Sequence, residues 1–365
     1  MLLVLSLTLG LGLGIVSASA EDVTLKFLIS AGFYDLENDL GWKVCQRVSG
    51  YKIDYEVING TEQLMLIITS GQEYDYTYLN SKNYSLMMSE GLYMLLLFTA
   101  VGAYAQKHLE VLHTNDTHSC IMPLNPNLAD TAVAGRGGFL RRVAMIKEER
   151  AKNPDLLLID SGDFSQGSPF YTMFKGDVEV GLMNLMGYDA VTIGNHEFDF
   201  GLENMARIFK MAKFPVVCAN YDFTGTCVEG LVKPYVIIKR NGLKIGLFGL
   251  SPQLEGLVDL SKCKGVTYLD PVEVGNRVAA ELKHDKKCDV VICVSHLGWL
   301  RPDEMGDQKL LASSKDIDLV LGGHSHSYFK DLRYVNNADG KAVPVDQNGK
   351  NAMYVGKLTL SFDKK

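Results

Sequence analysis

The sequence lacks several features that would each indicate a particular class of protein. Its basic residues do not cluster and its formal net charge is −7, which argues against an electrostatic nucleic-acid binder. The seven cysteines show no CxxC spacing, so nothing indicates a cysteine-rich structural zinc site. No repeat or low-complexity stretch interrupts residues 107–365, and the composition does not indicate disorder. The length is that of a globular protein of two or three domains.

The first twenty residues form an apolar run that ends in Ala18-Ser-Ala20, which is typical of a signal peptide cleaved before Glu21. No Lys or Arg lies near Met1, so a retained membrane anchor stays open as the alternative. We expect residues 1–20 to be a signal peptide. The protein is then exported, to the periplasm or the extracellular space in a bacterial-type setting.

A second apolar segment lies at residues 94–105 and again ends in small residues, at Ala103 and Ala105. It is shorter than the roughly 20 apolar residues that cross a bilayer, so no stable membrane span is expected. Two interpretations stay open. The segment is a buried helix or strand, or it is a second signal peptide that begins at Met94. In the second case, residues 1–93 and 94–365 come from two joined reading frames.

Residues 21–93 differ in character from the rest of the chain. Strand patterns cover residues 23–29, 51–57 and 74–79, and a helix pattern covers residues 62–70. Ser70-Gly-Gln-Glu-Tyr-Asp75 and the run from Met87 to Tyr93 resemble the amino-terminal lobe of bacterial extracellular solute-binding proteins. The segment is too short to form the two-lobed cleft of such a protein, so we expect a small α/β fragment.

From Lys107 onward, strand and helix patterns alternate, which indicates a layered α/β domain over residues 106–365. Arg141 and Arg142 are expected on a solvated helix face. The first predicted helix lies within residues 136–147 and opens after Gly137 and Gly138. The other predicted helices cover residues 178–186, 202–212, 271–283 and 307–314. The predicted strands include residues 216–218, 244–250 and a closing strand within 353–362.

Cysteine positions add two expectations about this region. Cys293 lies within an apolar strand pattern and should be a buried thiol. In an exported protein, Cys218 can pair with Cys227, and Cys263 with Cys288.

Polar residues follow five apolar strand patterns, each at the point where the strand ends. In open α/β sheets the carboxyl ends of strands hold the functional site. Packing alone does not explain five such endings. The five motifs are Asp116-Thr-His118, Gly162-Asp163, Gly194-Asn-His-Glu-Phe-Asp199, Ser295-His296 and Gly322-Gly-His-Ser-His326.

These residue types at these spacings indicate a pair of metal ions. Asp116 and His118 are two residues apart, point the same way and can grip one cation. The carboxylate of Asp163 can bridge two ions. Two ions about 3.5–4 Å apart stabilise both the attacking and the leaving oxygen of a phosphoryl transfer. A ligand set of Asp, Asn and His without thiolate suits Zn²⁺, Mn²⁺ or a similar divalent ion.

Together, the five motifs resemble those of the calcineurin-like metallophosphoesterases, and within them the exported 5′-nucleotidases, over residues 107–365. The resemblance implies a four-layer α-β-β-α sandwich. It implies one metal held by Asp116, His118, Asp163 and His326, and a second held by Asp163, Asn195, His296 and His324. Asn195 and His196 would contact the substrate. His196 would stabilise the transferring phosphate or the leaving oxygen, and Asp199 would orient His196. Many relatives carry Gln or Asn in place of His326.

The implied activity is that of a two-metal phosphomonoesterase of nucleotide catabolism, which hydrolyses nucleoside monophosphates with a metal-bridging hydroxide. A cyclic-nucleotide phosphodiesterase and a nucleotide-sugar pyrophosphatase stay open, as does a non-catalytic phosphate- or solute-binding protein. Exported 5′-nucleotidases usually carry a second, carboxy-terminal domain that selects the nucleotide. The present sequence ends at Lys365, after the predicted closing strand, so a separate specificity domain is an expected partner.

Overall fold

The computed structural model describes residues 24–30, 52–58, 76–78 and 107–362. The chain divides into two compact units, Met1–Ala105 and Gln106–Lys365. The predicted signal peptide at residues 1–20, the helix at residues 62–70 and the apolar segment at residues 94–105 lie outside the described residues. Their limits stay predictions. Within the described ranges, no helix is both long enough and apolar enough to cross a membrane.

The first unit contains a three-stranded parallel sheet. Its strands are β1 (Thr24–Ser30), β2 (Lys52–Ile58) and β3 (Tyr76–Tyr78). β1 lies in the middle and pairs in parallel with both neighbours. The three strands lie where the sequence patterns predict them.

The first of two six-stranded sheets in the second unit is mostly parallel. Its strands are β4 (Lys107–Thr114), β5 (Leu157–Asp160), β6 (Ala190–Thr192), β7 (Val216–Val217), β9 (Val232–Lys233) and β17 (Gly356–Phe362). The strand order is β17-β4-β5-β6-β7-β9. Only β17 runs antiparallel to its neighbour. The short strands β8 (Tyr221–Asp222) and β12 (Thr267–Tyr268) pair separately.

The second six-stranded sheet has a parallel centre and antiparallel edges. Its strands are β10 (Tyr235–Arg240), β11 (Leu243–Leu250), β13 (Val290–Ser295), β14 (Leu319–Leu321), β15 (Arg333–Asn336) and β16 (Ala342–Asp346). The strand order is β10-β11-β13-β14-β16-β15. β10 and β15 are the antiparallel edge strands.

Six α-helices lie between these strands in the sequence, and two of them carry a further turn at one end. The helices are α1 (Phe139–Lys152), α2 (Pro169–Phe174), α3 (Asp177–Met186), α4 (Gly201–Met211), α5 (Pro271–Ala280) and α6 (Asp307–Ala312). A 3₁₀ turn at His196–Phe198 precedes α4, and a π-helical turn at Glu281–Asp285 extends α5.

Side chains alternate between the two faces of each strand, and this alternation builds the layers. Leu109 and Val111 of β4 pack with Leu247 of β11 in a core between the two sheets. Leu112, on the opposite face of β4, shares a second core with Ile146 of α1. A third core joins the outer face of the second sheet to helices α5 and α6. The predicted four-layer α-β-β-α sandwich is therefore confirmed.

The two sheets approach each other closely at Gly249 in β11. A Cβ atom on this residue would lie 2.1 Å from the carbonyl oxygen of Val217 in β7. The amide of Ala219 donates a hydrogen bond of 2.8 Å to the carbonyl of Gly249. Glycine is thus required here by the distance between two backbones.

Helix α1 confirms one expectation and corrects another. Gly137 and Gly138 adopt positive φ angles of 78° and 98°, and the helix begins directly after them at Phe139, as predicted. Arg142 is buried, with 4% of its surface exposed, and donates a hydrogen bond of 3.2 Å to the carbonyl of Tyr354. The expected solvated face was therefore wrong for Arg142, although Arg141 is exposed.

The cysteines in the described region are all free thiols. The pairings expected between Cys218 and Cys227 and between Cys263 and Cys288 are absent there. Cys218 is buried, whereas Cys227 is exposed, so the first pair is split between interior and surface. Cys293 is fully buried in β13, as predicted.

Candidate functional site

The polar residues at the strand ends sit in strained backbone conformations. Asp116, His118, Asp163, His324 and His326 all have positive φ angles, between 43° and 70°. Such angles are unusual for residues other than glycine, cost about 1–3 kcal/mol each and cluster at functional sites. The surrounding structure must therefore hold these five residues in their unfavourable backbone conformations.

A first group of ligand atoms comes from Asp116, His118 and His326, all within 4.8 Å of one another. The Nε2 atoms of His118 and His326 face each other at 2.9 Å. The Asp116 carboxylate is buried, and it accepts hydrogen bonds from the backbone amide of His324 and from the Asn115 side chain. The ring nitrogens of His118 and His326 and the hydrogen-bonded carboxylate of Asp116 thus lie close enough together to bind one cation.

A second group contains Asp163, His296 and His324, whose ligand atoms also lie within 4.8 Å of one another. The Nε2 of His296 is 3.1 Å from an Asp163 carboxylate oxygen. The opposite ring nitrogen, Nδ1, is 2.6 Å from the Ser161 carbonyl, to which it can only donate. This bond fixes the ring and directs Nε2 at Asp163. Because Ser161 follows β5 and His296 follows β13, the site spans both sheets.

Asp163 links the two groups. Its ligand atoms also lie within 4.8 Å of those of His118 and His196, so it lies between the first group and the second. Asn195 is buried, and its side-chain oxygen has no hydrogen-bond partner among the described residues. A buried acceptor without a donor is costly, and a cation would satisfy it. The donor set therefore fits divalent metal ions.

Burial and mutual charge shift the pKa values of the site residues in both directions. Burial alone would lower the pKa of His296, but Asp163 raises it to about 10, so a metal ion bound there would have to displace a proton from the ring. Burial lowers the pKa values of His118 and His324 to about 4, so both rings are neutral near pH 7 and carry a lone pair. Burial alone would raise the pKa of Asp163, but His296 outweighs it and holds the carboxyl ionised. Burial raises the pKa of Asp116 to about 7, so a cation beside it would favour its ionised form.

His196 and Asp199 form a pair at the edge of the two groups. The Nδ1 of His196 lies 3.2 Å from both carboxylate oxygens of Asp199. The backbone amide of His196 donates a hydrogen bond of 2.9 Å to Asp163. Burial alone would lower the pKa of His196, but the bond to Asp199 and nearby carboxylates raise it. The ring is partly exposed, so it can reach a bound molecule.

All nine residues predicted from the sequence are therefore brought to one region, and their individual roles stay predictions. Sequence reasoning missed Glu197, which is fully buried. Its carboxylate accepts backbone hydrogen bonds from Gly194 at 2.6 Å, Asp163 at 3.0 Å and Ser165 at 3.1 Å. It fastens the loop after β6 to the loop after β5. A carboxylate directly after a histidine at a strand end was the available signal.

Comparison with known proteins agrees with this geometry. Residues 109–328 match the family model described as calcineurin-like phosphoesterase. The chain is 30% identical, over 289 residues, to the trifunctional nucleotide phosphoesterase protein YfkN of Bacillus subtilis, with 70% of this chain and 18% of the relative covered. It is 31% identical, over 287 residues, to the snake venom 5′-nucleotidase of Gloydius brevicauda, with 74% and 47% covered.

A solved structure supports the same assignment. The 5′-nucleotidase precursor of Thermus thermophilus superposes with a TM-score of 0.63 at 30% identity, covering 70% of this chain and 52% of that one. The chain thus spans about half the length of the venom and Thermus proteins, and less of the Bacillus protein. The resemblance predicted from the five motifs is confirmed, and the chain belongs to the calcineurin-like phosphoesterases, a family of metal-dependent phosphoric ester hydrolases.

Proposed function

We propose that this protein is a two-metal phosphomonoesterase that hydrolyses nucleoside 5′-monophosphates. The observation that carries the proposal is the position of Asp163, which groups with His118 on one side and with His296 and His324 on the other. A carboxylate shared between two ligand sets is what a pair of metal ions requires. The names of the venom and Thermus relatives, both 5′-nucleotidases, support the substrate class.

In this proposal Asp116, His118, Asp163 and His326 would hold the first metal, and Asp163, Asn195, His296 and His324 would hold the second. The oxygen and nitrogen donors suit Zn²⁺, Mn²⁺ or a similar ion. When bound, the two cations supply an activated water and neutralise negative charge on the phosphate. The histidines with pKa values of about 4 present neutral rings for this purpose.

His196 is assigned to the substrate phosphate or its leaving oxygen. Asp199 fixes the tautomer and orientation of the ring through Nδ1. The raised pKa favours a protonated ring, which can support negative charge or give up a proton to the leaving oxygen. Asn195 is assigned to the phosphate as well as to the second metal.

Two other phosphoester reactions suit the same residues. A cyclic-nucleotide phosphodiesterase and a nucleotide-sugar pyrophosphatase stay as alternatives, and the name of the Bacillus relative, a trifunctional nucleotide phosphoesterase, favours testing both. The test is turnover of AMP, 2′,3′-cyclic AMP and UDP-glucose by the chelator-treated protein with Mn²⁺ restored. Highest kcat/KM for AMP supports the proposal. A higher kcat/KM for 2′,3′-cyclic AMP would favour the phosphodiesterase over the proposed function, and a higher kcat/KM for UDP-glucose would favour the pyrophosphatase.

A non-catalytic phosphate- or solute-binding protein is the alternative outside the enzyme class. A generic aryl phosphate tests it, because such a substrate makes few demands beyond the placement of its phosphate. Hydrolysis that depends on added Mn²⁺ rejects the binding-protein alternative. Binding of phosphate without turnover of any of these esters would support it.

Export and domain limits belong to the same proposal. We infer residues 1–20 as a signal peptide, residues 21–93 as a solute-binding-like fragment, residues 94–105 as a signal-like segment and residues 106–365 as the phosphoesterase domain. A separate carboxy-terminal specificity domain stays a predicted partner. Amino-terminal sequencing of the secreted product distinguishes a start near Glu21 from one near Gln106. A product that begins at Met1 and stays in the cell would reject export.

A further inference from the structure

A buried histidine lies between the two sheets, three residues before Asp116 in the sequence. Leu109 and Val111 of β4 face the core between the sheets, and the alternation of side chains places His113 on the same face. The His113 ring is fully buried, and it is not one of the nine predicted site residues. Burying a polar group costs free energy unless the group is hydrogen-bonded, so a histidine at this position needs partners inside the protein.

Both ring nitrogens of His113 have such partners. Nδ1 lies 2.8 Å from a carboxylate oxygen of Asp346, at the end of β16 in the second sheet. The same oxygen accepts a hydrogen bond of 2.8 Å from the Asn348 side chain, whose nitrogen lies 2.9 Å from Nδ1, so two donors converge on it. Nε2 lies 2.9 Å from the hydroxyl of Ser161, which directly follows β5 in the first sheet. His113 therefore connects three strands that belong to both sheets.

Ser161 has a partner for each of its polar groups. Its amide donates a hydrogen bond of 2.8 Å to the carbonyl of Thr114, and its hydroxyl donates one of 2.7 Å to the carbonyl of Leu321. Because the hydroxyl has only one hydrogen, it must accept from His113, so Nε2 of that ring is the donor. The Ser161 carbonyl accepts the 2.6 Å hydrogen bond from Nδ1 of His296. The ring of His296 is therefore oriented by a residue whose own side chain His113 holds in place.

The ends of four site-bearing strands meet at Ser161. This residue follows β5, and its partners lie at the ends of β4 and β14 and directly after β13. Asp163 lies two residues after Ser161, and His324 lies three residues after Leu321. All three members of the second ligand group thus lie close in the chain to Ser161 or to one of its partners, or bond to it directly. Among the ligand side chains in the described part of the chain, the one that hydrogen-bonds Ser161 is that of His296.

We propose that His113, held by Asp346, is a positioning residue for the second metal ion and acts through Ser161 on the ring of His296. This inference rests on the proposed function, because it requires two ions. A histidine that is fixed through Nδ1 presents Nε2 to a metal in one orientation, and the loss of such outer partners typically weakens metal binding by about 10- to 100-fold. His113 is assigned no contact with an ion or with substrate, so it is not a catalytic residue.

Titration of the chelator-treated full chain with Mn²⁺ tests this inference without any measurement of activity. Electron paramagnetic resonance measures free Mn²⁺ at each step and gives a dissociation constant for each ion. Ser161→Ala keeps the carbonyl that His296 uses but removes the acceptor for His113. It should raise the dissociation constant of one ion by about 10- to 100-fold and leave that of the other at the wild-type value. His296→Ala identifies the affected ion, because His296 is proposed to bind the second ion alone.

Substitutions of His113 show whether it acts through Ser161. His113→Leu should weaken binding of the same ion, and the double variant with Ser161→Ala should lose no more than His113→Leu alone, because both changes break one connection. His113→Gln should keep nearly wild-type binding, since its amide can place an N–H group near the position of Nε2. Ser314→Ala is the matched control, because the Ser314 hydroxyl is also buried but bonds to the carbonyl of Leu311, at 3.3 Å. It should leave both dissociation constants unchanged.

The outcomes separate the two inferences. If the wild type binds two ions and Ser161→Ala changes neither constant, or raises both equally, the positioning role is overturned while the proposed function stands. A wild type that binds fewer than two ions overturns the proposed function, and the positioning role with it. If circular dichroism shows that His113→Leu does not fold, Ser161→Ala and His113→Gln still distinguish these outcomes. Weaker binding of one ion in Ser161→Ala, with nearly wild-type binding in His113→Gln, supports both inferences.

Discussion

Glu197 is the buried carboxylate that fastens the two central loops of the site, and its substitution tests whether this fastening stabilises the fold. One oxygen accepts hydrogen bonds from the amides of Gly194 and Asp163, and the other accepts one from Ser165. In Glu197→Gln, the amide oxygen can keep the first two bonds. The NH₂ group of the glutamine side chain then faces the backbone amide of Ser165, so two hydrogen-bond donors face each other and the Ser165 amide has no acceptor. In Glu197→Ala, all three donors lose their acceptor.

The magnitudes follow from the number of orphaned donors. A buried donor left without a partner costs about 1–3 kcal/mol. Glu197→Gln orphans one donor and should lower the free energy of unfolding by about 1–3 kcal/mol. Glu197→Ala orphans three, which sets an upper bound of about 9 kcal/mol before any water enters the space. That bound is comparable with the whole stability of a typical domain, about 5–15 kcal/mol.

Urea unfolding in the presence of EDTA measures the effect, because the chelator removes stabilisation by bound metal. Circular dichroism follows the transition. Glu203→Ala is the control, since Glu203 is an exposed carboxylate on α4. The free energies of unfolding should fall in the order Glu203→Ala, Glu197→Gln, Glu197→Ala. If Glu197→Ala were as stable as Glu203→Ala, the inferred role of the carboxylate would be refuted.

Three further changes test other parts of the structure. His196→Ala should keep the wild-type metal content, measured by metal analysis, and should lower kcat for AMP hydrolysis by about 10²- to 10⁴-fold. Wild-type activity in this variant would show that the His196 ring takes no part in the reaction. Burial alone would raise the pKa of Asp318, but hydrogen bonds from Lys283 and other donors lower it below the ordinary value of 3.8. The ionised Asp318 carboxylate therefore stabilises the folded protein above pH 3.8, and this contribution is lost as the pH falls through the lowered pKa. Asp318→Asn should therefore flatten the acid side of a Tm–pH profile, and an unchanged profile would contradict this. Gly249→Ala places a Cβ atom 2.1 Å from the Val217 carbonyl oxygen and should cost about 1–3 kcal/mol in urea unfolding, whereas no loss would show that the sheets can separate there.

The site was predictable because its geometry follows from strand direction. In each sheet the site-bearing strands run in parallel, so their carboxyl ends meet at one edge of that sheet. Apolar runs ending in Asp116 and Asp163 therefore imply proximity within the first sheet. His296 follows a strand of the second sheet, and its place 3.1 Å from Asp163 depends on how the two sheets pack. The strained backbone at Asp116 and Asp163 also marks the site, but no sequence pattern gives a φ angle.

What could not be predicted depends on contacts between residues far apart in the chain. Arg142 looks like a surface residue from helical spacing, yet it is buried because it reaches the carbonyl of Tyr354, 212 positions away. Helix α2 was not predicted, although Ser168 caps it and Pro169 begins it. Glu197 directly follows a histidine at a strand end, but this position does not reveal its role, since its partners are backbone amides of two loops and not other side chains.

Metal content per chain tests the central claim most directly. The wild-type protein, loaded with Mn²⁺ and freed of excess ion, is analysed by mass spectrometry of its metals beside Asp163→Ala and the exposed control Asp303→Ala. About two ions per chain are expected in the wild type and the control, and loss of both is expected in Asp163→Ala, because that carboxylate is proposed to hold both. A wild type that binds one ion or none, or an Asp163→Ala variant that keeps two, would contradict the central claim.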